Sequence, residues 1–445
     1  MAPDPTHPAL VRPDAHEPGQ GQAPDRAPIE RSSGPGGPEL VRFESEALGF
    51  LESHASPRVV EKHGWGEGSD QVAIFAEQTP AEERAEVAGA KAWRQQVFDA
   101  GFGWITGPGT HGGRELPAHY QRRWASLEAG FDVPSQAPLG IGLGMVAPTI
   151  LAHGSEAAKA RYLRAMHRGD VVACQLFSEP SAGSDLASLA TRAVRDGDEW
   201  ILDGQKVWTS GAQYADIGEV ICRTDPDMPK HKGLTAFIVD MHAPGVEVRP
   251  LRQMTGGATF NEVFFTDVRV PDDHRLGDVN EGWTVALTTL MNERAAIGGG
   301  GTGSGAAMGT SRLIDLLRHM GRDQDPILRQ KLAEVYINTR VAAYTNSRAM
   351  AKIRAGQLPG PEMSIAKLSL TANMTRVAEL VSAALGPRMC ADTGDWGTYA
   401  WSQFVLGTPG MRVAGGTDEV MKNIIGERVL GLPKEPPPAD ARRPV

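Results

Sequence analysis

One carboxylate stands apart by the company it keeps. In the stretch EGWTVALTTLMNERAAIG, Ala286, Leu290, Glu293 and Ile297 recur at the spacing of one helix face, so Glu293 interrupts an apolar stripe. A carboxylate pushed into apolar surroundings loses hydration, which raises its pKa and suits it to general-base work near neutrality. Arg294 follows directly but lies about 100° round the helix, so it need not neutralise Glu293. The same pattern also fits an ordinary core or interface ion pair, because structural networks perturb carboxylates too.

Other chemistries find less support. The 12 histidines are scattered without the H-E-x-x-H spacing of a zinc site. The cysteines, Cys174, Cys222 and Cys390, are odd in number and too far apart for a C-x-x-C pair, which fits a reducing cytoplasm. No G-x-S-x-G elbow is present, and Ser184 in SAGSD lies between a Pro/Gly-rich turn and a β region, so a hydrolase is not supported. Two glycine-rich stretches, Gly140-Ile-Gly142-Leu-Gly144 and IGGGGTGSGAAMG over residues 297–309, resemble nucleotide loops. Neither has the preceding strand and distant acid of a dinucleotide fingerprint or the Gly-Lys-Ser/Thr of a P-loop, so close helix packing or a flexible turn is the simpler account.

The elements that must position Glu293 fall into a clear order. Nine prolines crowd residues 1–40 with few large apolar side chains, the composition of a flexible tail. Over residues 41–168, stretches such as VRFESEALGFLESHA and PAEERAEVAGAKAWRQQVFDAGF space apolar residues three and four apart, which predicts an all-α first domain. Over 169–275 the period drops toward two in AVRDGDEWILDGQKVWTS, EVICRTD, LTAFIVDM, VEVRPL and NEVFFTDVRV, which predicts a β domain. Asp196-Gly197 and Asp203-Gly204 are both hairpin signals, favouring antiparallel pairing. Helical spacing returns over 276–432, and PKEPPPADARRPV, within 433–445, forms a second tail. The fold class expected is α+β: an N-terminal helical domain, a middle antiparallel β domain and a C-terminal helical bundle.

Composition bounds the partners. At 445 residues the chain has room for about three domains. A net charge of −9 argues against a surface built for phosphate backbones, so nucleic acid is not expected. The opening MAPDPTHPALVRPDAHEPG carries acids and prolines where a secretion signal needs a basic start and an apolar run. The longest uncharged run, residues 133–155, is broken by Pro134, Pro138 and Pro148, so no membrane span is expected.

The segments CQLFSEPSAGSDLASLATRA and LDGQKVWTSGAQYAD, followed in order by VRVPDDHRLG, EGWTVALTTLMNER, SIAKLSL and AGGTDEVMKNIIGERVLGLP, resemble the acyl-CoA dehydrogenase family over about residues 41–435. E-P-x-A-G-S-D and K-x-W are that family's flavin-contacting signatures, and its domain order is also α, β, α. The resemblance implies FAD held between the β domain and the C-terminal helices, with an acyl-CoA thioester against the flavin. Phe177 and Ser178 would meet the flavin ring, Gly183 and Ser184 the pyrophosphate, with Ser184 also near substrate. Trp208 would pack on the ring, Ser210 would aim its hydroxyl at the N5 region, and Gly416, Thr417 and Glu419 would contact the adenosine side.

The reaction implied is removal of an α-proton and a β-hydride, giving a trans-2-enoyl-CoA and reduced flavin. In many members the base is a glutamate in a Y-E-G-T-like loop; here that loop reads Ala414-Gly415-Gly416-Thr417, with glycine in its place. In isovaleryl-CoA and long-chain members the base sits in an L-E-R-like helix motif, which LMNER matches, and the resemblance thus also selects Glu293. The backbone N–H of Gly415 would bond the thioester oxygen, and Arg294 would organise the site. The Arg-x-x-Phe-Gly segment by which a neighbouring subunit grips FAD corresponds to Arg318-His-Met-Gly321, an imperfect match, and Ala383 replaces a glutamine. An electron-transferring flavoprotein as acceptor and a homodimer or homotetramer follow from the same resemblance. Two alternatives share the scaffold: a flavin oxidase or monooxygenase, and a non-catalytic partner subunit of a heteromeric dehydrogenase.

Overall fold

Proline and hydroxyl caps set where the first helices begin. The computed structural model describes residues 37–59, 64–75, 77–298, 309–354, 360–434 and 436, with the backbone alone for 294–298 and 352–354. Helix α1 (Pro38–His54) opens on its proline, inside the stretch expected to be tail. Helix α2 (Pro80–Asp99) starts with a reciprocal cap: the Glu82 amide donates to Thr79 Oγ1 at 3.3 Å, and the Thr79 amide to the Glu82 carboxylate at 2.8 Å. Helices α3 (Ala118–Glu128), α4 (Ala147–His153) and α5 (Glu156–Arg168) complete the first region. Its aromatic core includes Phe102 stacked on Trp124 at 4.5 Å. Gly140 follows a 3-10 turn, and Gly142 and Gly144 sit in a π-helical turn (Gly142–Val146) leading into α4, not in a phosphate loop, with Gly142 backing onto Ala173. The second glycine run, 297–309, lies almost wholly outside the described residues.

A tiny antiparallel pair, β1 (Ser56–Pro57) with β2 (Phe131–Asp132), precedes the main sheet. That sheet holds β3 (Ala173–Leu176), β4 (Arg192–Asp196), β5 (Glu199–Ser210), β6 (Ile217–Arg223), β7 (Leu234–Asp240), β8 (Val246–Leu251), β9 (Phe260–Pro271) and β10 (Arg275–Leu276), in the order β10-β7-β6-β4-β5-β9-β8 with β3 beside β6. Pairing is antiparallel as expected except along β3–β6 and at one β4–β6 pair, which are parallel. Strands β6 and β7 are buried on both faces, Ile217 and Ile221 against helices and Val220 and Cys222 against the rest of the sheet.

Of the two Asp-Gly signals, only Asp196-Gly197 makes a hairpin, joining β4 to β5. Asp203-Gly204 lies inside β5, where the register with β9 slips between Leu202 and Gly204. Gly204 has φ +150°, and a Cβ there would stand 2.5 Å from Thr191 Oγ1, so glycine here serves a bulge and a close approach instead of a turn.

Helix α6 (Gly282–Gly298) then leaves the sheet, followed by α7 (Thr310–His319), α8 (Pro326–Arg354), α9 (Met363–Leu385), α10 (Trp401–Val413) and α11 (Asp418–Ile424). Helix α6 packs on β7, on α4 with its preceding π turn, and on α9, so it joins all three regions. No helix among the described residues is long and apolar enough to cross a membrane.

Candidate functional site

Lysine belongs at surfaces, yet Lys206 on β5 has no exposure at all. Its Nζ donates to the Glu179 carboxylate at 2.9 Å and to the Phe177 carbonyl at 3.0 Å. The same carboxylate accepts from the amides of Ala190, 2.7 Å, and Thr191, 2.9 Å. Burial alone would raise the Glu179 pKa; the Lys206 charge and these donors outweigh it and hold the group below its ordinary value. Glu179 and Ala182 bond each other's backbones across Pro180-Ser181, closing a tight turn. The loop is thus anchored from beneath by buried Phe177, Glu179 and Ala182, while Ser181, Gly183, Ser184 and Asp185 remain exposed.

The Val207 amide donates to the Ser178 carbonyl at 2.9 Å, which sets this loop directly against the end of β5. There the register with β9 slips again, between Lys206 and Thr209, and Trp208 takes φ +63°. A non-glycine residue in that region costs about 1–2 kcal/mol. The bulge turns the indole outward: Trp208 is 57% exposed, touching Phe260 edge-on at 5.9 Å. A strained backbone holding a large apolar ring in solvent makes Trp208 a candidate contact for a ligand. Ser210, two residues on, is half-buried and in register with Phe260.

A second loop is built the same way. Gly415 and Gly416 have φ +66° and +93°, left-handed backbone that costs a residue with a side chain about 1–2 kcal/mol, and a Cβ on Gly416 would also have to displace the end of the Met421 side chain, 2.6 Å away. Thr417 caps α11 by accepting from the Val420 amide at 3.1 Å. Beneath it, buried Asp418 accepts from Lys367 Nζ at 3.1 Å and Thr371 Oγ1 at 2.8 Å on one oxygen and from Arg412 Nε at 2.8 Å on the other. Lys367 also donates to the Arg412 carbonyl, 3.1 Å, tying the loop to α9. Burial opposes ionisation of Asp418, but these donors prevail and its pKa is lowered. Glu419 is exposed beside the cap.

Glu293 is half-buried on α6, in line with buried Ala286 and Thr289 and partly buried Leu290. The side chains of Arg294 and Ile297 lie outside the described residues. Arg318, at the end of α7, is exposed and pairs locally with Asp315 at 3.4 Å. Among the described residues no hydrogen bond joins it to the loops above. Lys206 with Glu179 and Lys367 with Asp418 are buried pairs beneath the two loops that the sequence reading missed, although all four stand inside the motifs SEPSAGSD, QKVW, SIAKLSL and GGTDEV. The available signal was a lysine standing within a strand or helix pattern, Lys206 before Val207-Trp208 and Lys367 between Ala366 and Leu368. Among the described residues, no cluster of three potential metal ligands occurs.

Three family models match in sequence order: the acyl-CoA dehydrogenase N-terminal domain over residues 69–170, the middle domain over 174–268 and the C-terminal domain over 280–430. The chain belongs to the acyl-CoA dehydrogenase family. It is 36% identical over 405 residues to acyl-CoA dehydrogenase IpdE1 of Mycobacterium tuberculosis, covering 89% of this chain and 99% of that one. With acyl-CoA dehydrogenase FadE34 of the same organism the identity is 42% over 292 residues, 65% of this chain but 39% of FadE34, so the chain spans well under half that protein's length. The solved structure of the Tcur3481-Tcur3483 steroid ACAD aligns with a TM-score of 0.67 at 25% identity, over 92% of this chain and 100% of that one. The ChsE4-ChsE5 complex from Mycobacterium tuberculosis aligns at 0.63 and 28% identity, over 89% and 98%. This acyl-CoA dehydrogenase family is one of FAD-dependent oxidoreductases, and the helical, β-sheet and helical regions above are its three domains.

Proposed function

We propose that this chain is an FAD-dependent acyl-CoA dehydrogenase in which Glu293 removes the α-proton of an acyl-CoA thioester, the product being the trans-2-enoyl-CoA. The observation that carries it is Trp208: a strained, outward-turned indole beside an exposed loop anchored from below is the arrangement a planar ring ligand needs. The residues present fit FAD. Ser178, Gly183, Ser184, Trp208 and Ser210 would hold it from the β domain with Phe177 beneath, and Gly416, Thr417 and Glu419 from the C-terminal side. At Gly183 a Cβ would meet nothing within 4 Å, which leaves open space above that backbone. When bound, FAD supplies the acceptor for the β-hydride.

The chain's own residues do the rest. Glu293, on a face shared with Ala286 and Thr289, holds a carboxylate for the α-proton. The Gly415 amide serves the thioester oxygen as charge develops there, an interaction worth several kcal/mol in a dry site. Arg294 organises the carboxylate. Glycine at 415 leaves room for a bulky acyl group, and a steroid side-chain thioester is the substrate class in keeping with the aligned steroid ACAD. An electron-transferring flavoprotein is the proposed acceptor.

We further propose that the chain works as an oligomer. Tyr336, Ile337, Val341 and Tyr344 form an apolar stripe along one side of α8, each more than half exposed. Two aligned structures are named as pairs of different chains, which makes a heteromeric arrangement the second reading. The test is a ferrocenium-coupled assay of the purified, FAD-loaded protein on thioesters from butyryl to steroid side-chain CoA, with light scattering for the assembly. Turnover on any thioester supports the dehydrogenase. A yellow protein without turnover, which gains it only with a second chain, supports the partner subunit. A colourless protein that cannot take up FAD refutes both. Rapid reoxidation by O₂ would make it an oxidase.

A further inference from the structure

Glu219 lies in the middle of β6 with no exposure, on the face of the strand that carries Ile217 and Ile221 toward the helices. Its Oε1 is 2.6 Å from Thr289 Oγ1 on α6, and that hydroxyl is 2.9 Å from Thr149 Oγ1 on α4. Thr149 in turn donates to the Met145 carbonyl at 2.9 Å, in the π turn before α4. Among the described residues, buried Glu219 Oε2 has no partner. The three side chains come from the three domains, and all three are wholly buried.

Each hydroxyl has one proton to give. If Glu219 carries its own proton, Glu219 donates to Thr289, Thr289 to Thr149 and Thr149 to the Met145 carbonyl, and every proton is used along one direction. If Glu219 is ionised, Thr289 spends its proton on the carboxylate, Thr149 can serve either Thr289 or the Met145 carbonyl but not both, and a charge lies among Ile217, Ile221 and Val285. Burial pushes the Glu219 carboxyl up to about 8, so the protonated arrangement prevails at neutral pH. Thr289 stands four residues before Glu293, one turn away on the same side of α6.

Resting on the assignment of Glu293 as base, we propose that Glu219, Thr289 and Thr149 form a clasp between the three domains, and that Glu219 is a positioning residue which fixes the turn of α6 carrying Glu293. Gln175 on β3 and Ile238 on β7 stand in register with Glu219, neither of them charged. The titratable groups of α4 and α6 are His153, Glu293 and Arg294. His153 bonds Thr288 at 2.8 Å, and burial holds its pKa below the ordinary imidazole value. On the flanking strands Cys174 is on the opposite face and Asp240 is at the exposed end of β7.

The test compares full-length, FAD-loaded wild type with Glu219→Gln, Glu219→Leu and Thr289→Val between pH 6 and 9. Glutamine keeps the donor without the ionisation; leucine fills the space without either. Expected are a kcat that falls in wild type above about pH 8, a Glu219→Gln profile without that fall, and at least a ~10-fold lower kcat in Glu219→Leu and Thr289→Val with FAD content and KM little changed, because small misplacements of a reacting group are costly. A Glu219→Leu or Thr289→Val enzyme with wild-type kcat overturns the proposal, as does a Glu219→Gln profile superimposable on wild type. If Glu219→Leu does not fold, Thr289→Val decides. If wild type turns over no thioester, the dehydrogenase assignment fails, and the clasp is judged by thermal unfolding alone. The excess Tm of Glu219→Gln over wild type must then grow as pH rises from 5 to 8, and a constant difference overturns the clasp.

Discussion

Replacing Lys206 with methionine keeps the reach of the side chain and removes its charge. In the folded protein Glu179 would then stay buried with two of its three donor groups, the amides of Ala190 and Thr191, and the Phe177 carbonyl would lose its side-chain donor. Removing one member of a buried ion pair costs about 3–5 kcal/mol, because the other charge is left uncompensated. Against a total stability on the order of 5–15 kcal/mol, that is enough to open the loop even where the domain stays folded. Flavin should therefore be lost before the fold is. The double change Glu179→Gln/Lys206→Met removes both charges and should recover about half the cost. Urea unfolding followed by tryptophan fluorescence, beside an FAD titration of the same samples, reads both quantities. A Lys206→Met protein within about 1 kcal/mol of wild type, a threshold near the size of one ordinary hydrogen bond, would refute the anchoring role. So would a double variant no more stable than the single one.

Glu293→Gln keeps size and hydrogen bonding but cannot accept the α-proton, so FAD should stay bound while turnover falls by ~10²-fold or more in the ferrocenium assay. Glutamate introduced at Gly415 in that background should restore part of the rate and shift preference toward straight chains, since it fills the room glycine leaves. Trp208→Gly relieves a left-handed residue, so the FAD-free protein should gain about 1 kcal/mol in urea unfolding while FAD affinity drops. Acid should act through Glu179 and Asp418, both held below their ordinary values of 4.5 and 3.8. A lowered folded pKa adds stability above the unfolded value and loses it as pH falls through the folded one, so Tm should decline below about pH 4.5 and less steeply in Glu179→Gln.

The order of helical, β and helical domains was legible because period is a local property: ILRQKLAEVYINTRVAAYTNSRAMAKI and NEVFFTDVRV declare themselves within a dozen residues. The same locality explains what was not legible. Asp203-Gly204 has the chemistry of a turn, and only the approach of Thr191 from another strand makes it a bulge. Four residues, ACQL, carry too little pattern to declare β3, and its parallel pairing depends on where β6 lies. In the candidate site, the exposed residues stood inside recognisable motifs, whereas the bulge that turns Trp208 outward is a relation between β5 and β9. Glu219 reads in EVICRTD as the polar start of a strand; its burial appears only once α4 and α6 cover that face.

Three of the buried polar groups, Glu179, Asp418 and Glu219, share one position in the design, beneath something that must be held in a single orientation. Apolar packing is strong but weakly directional, and a loop that turns its backbone toward a ligand has few side chains left to bury. Glu179 with Lys206 fixes the first loop from below, Asp418 with Lys367 fixes the second, and Glu219 with two threonines fixes a helix turn. Ions serve under the loops, where several backbone and side-chain donors converge on one carboxylate and keep it charged. A protonated acid serves between the domains, where hydroxyls are the partners and no cation compensates it. The two kinds of anchor therefore fail at opposite ends of the pH scale: the loops loosen as their carboxylates are protonated, and the helix turn loosens as Glu219 ionises.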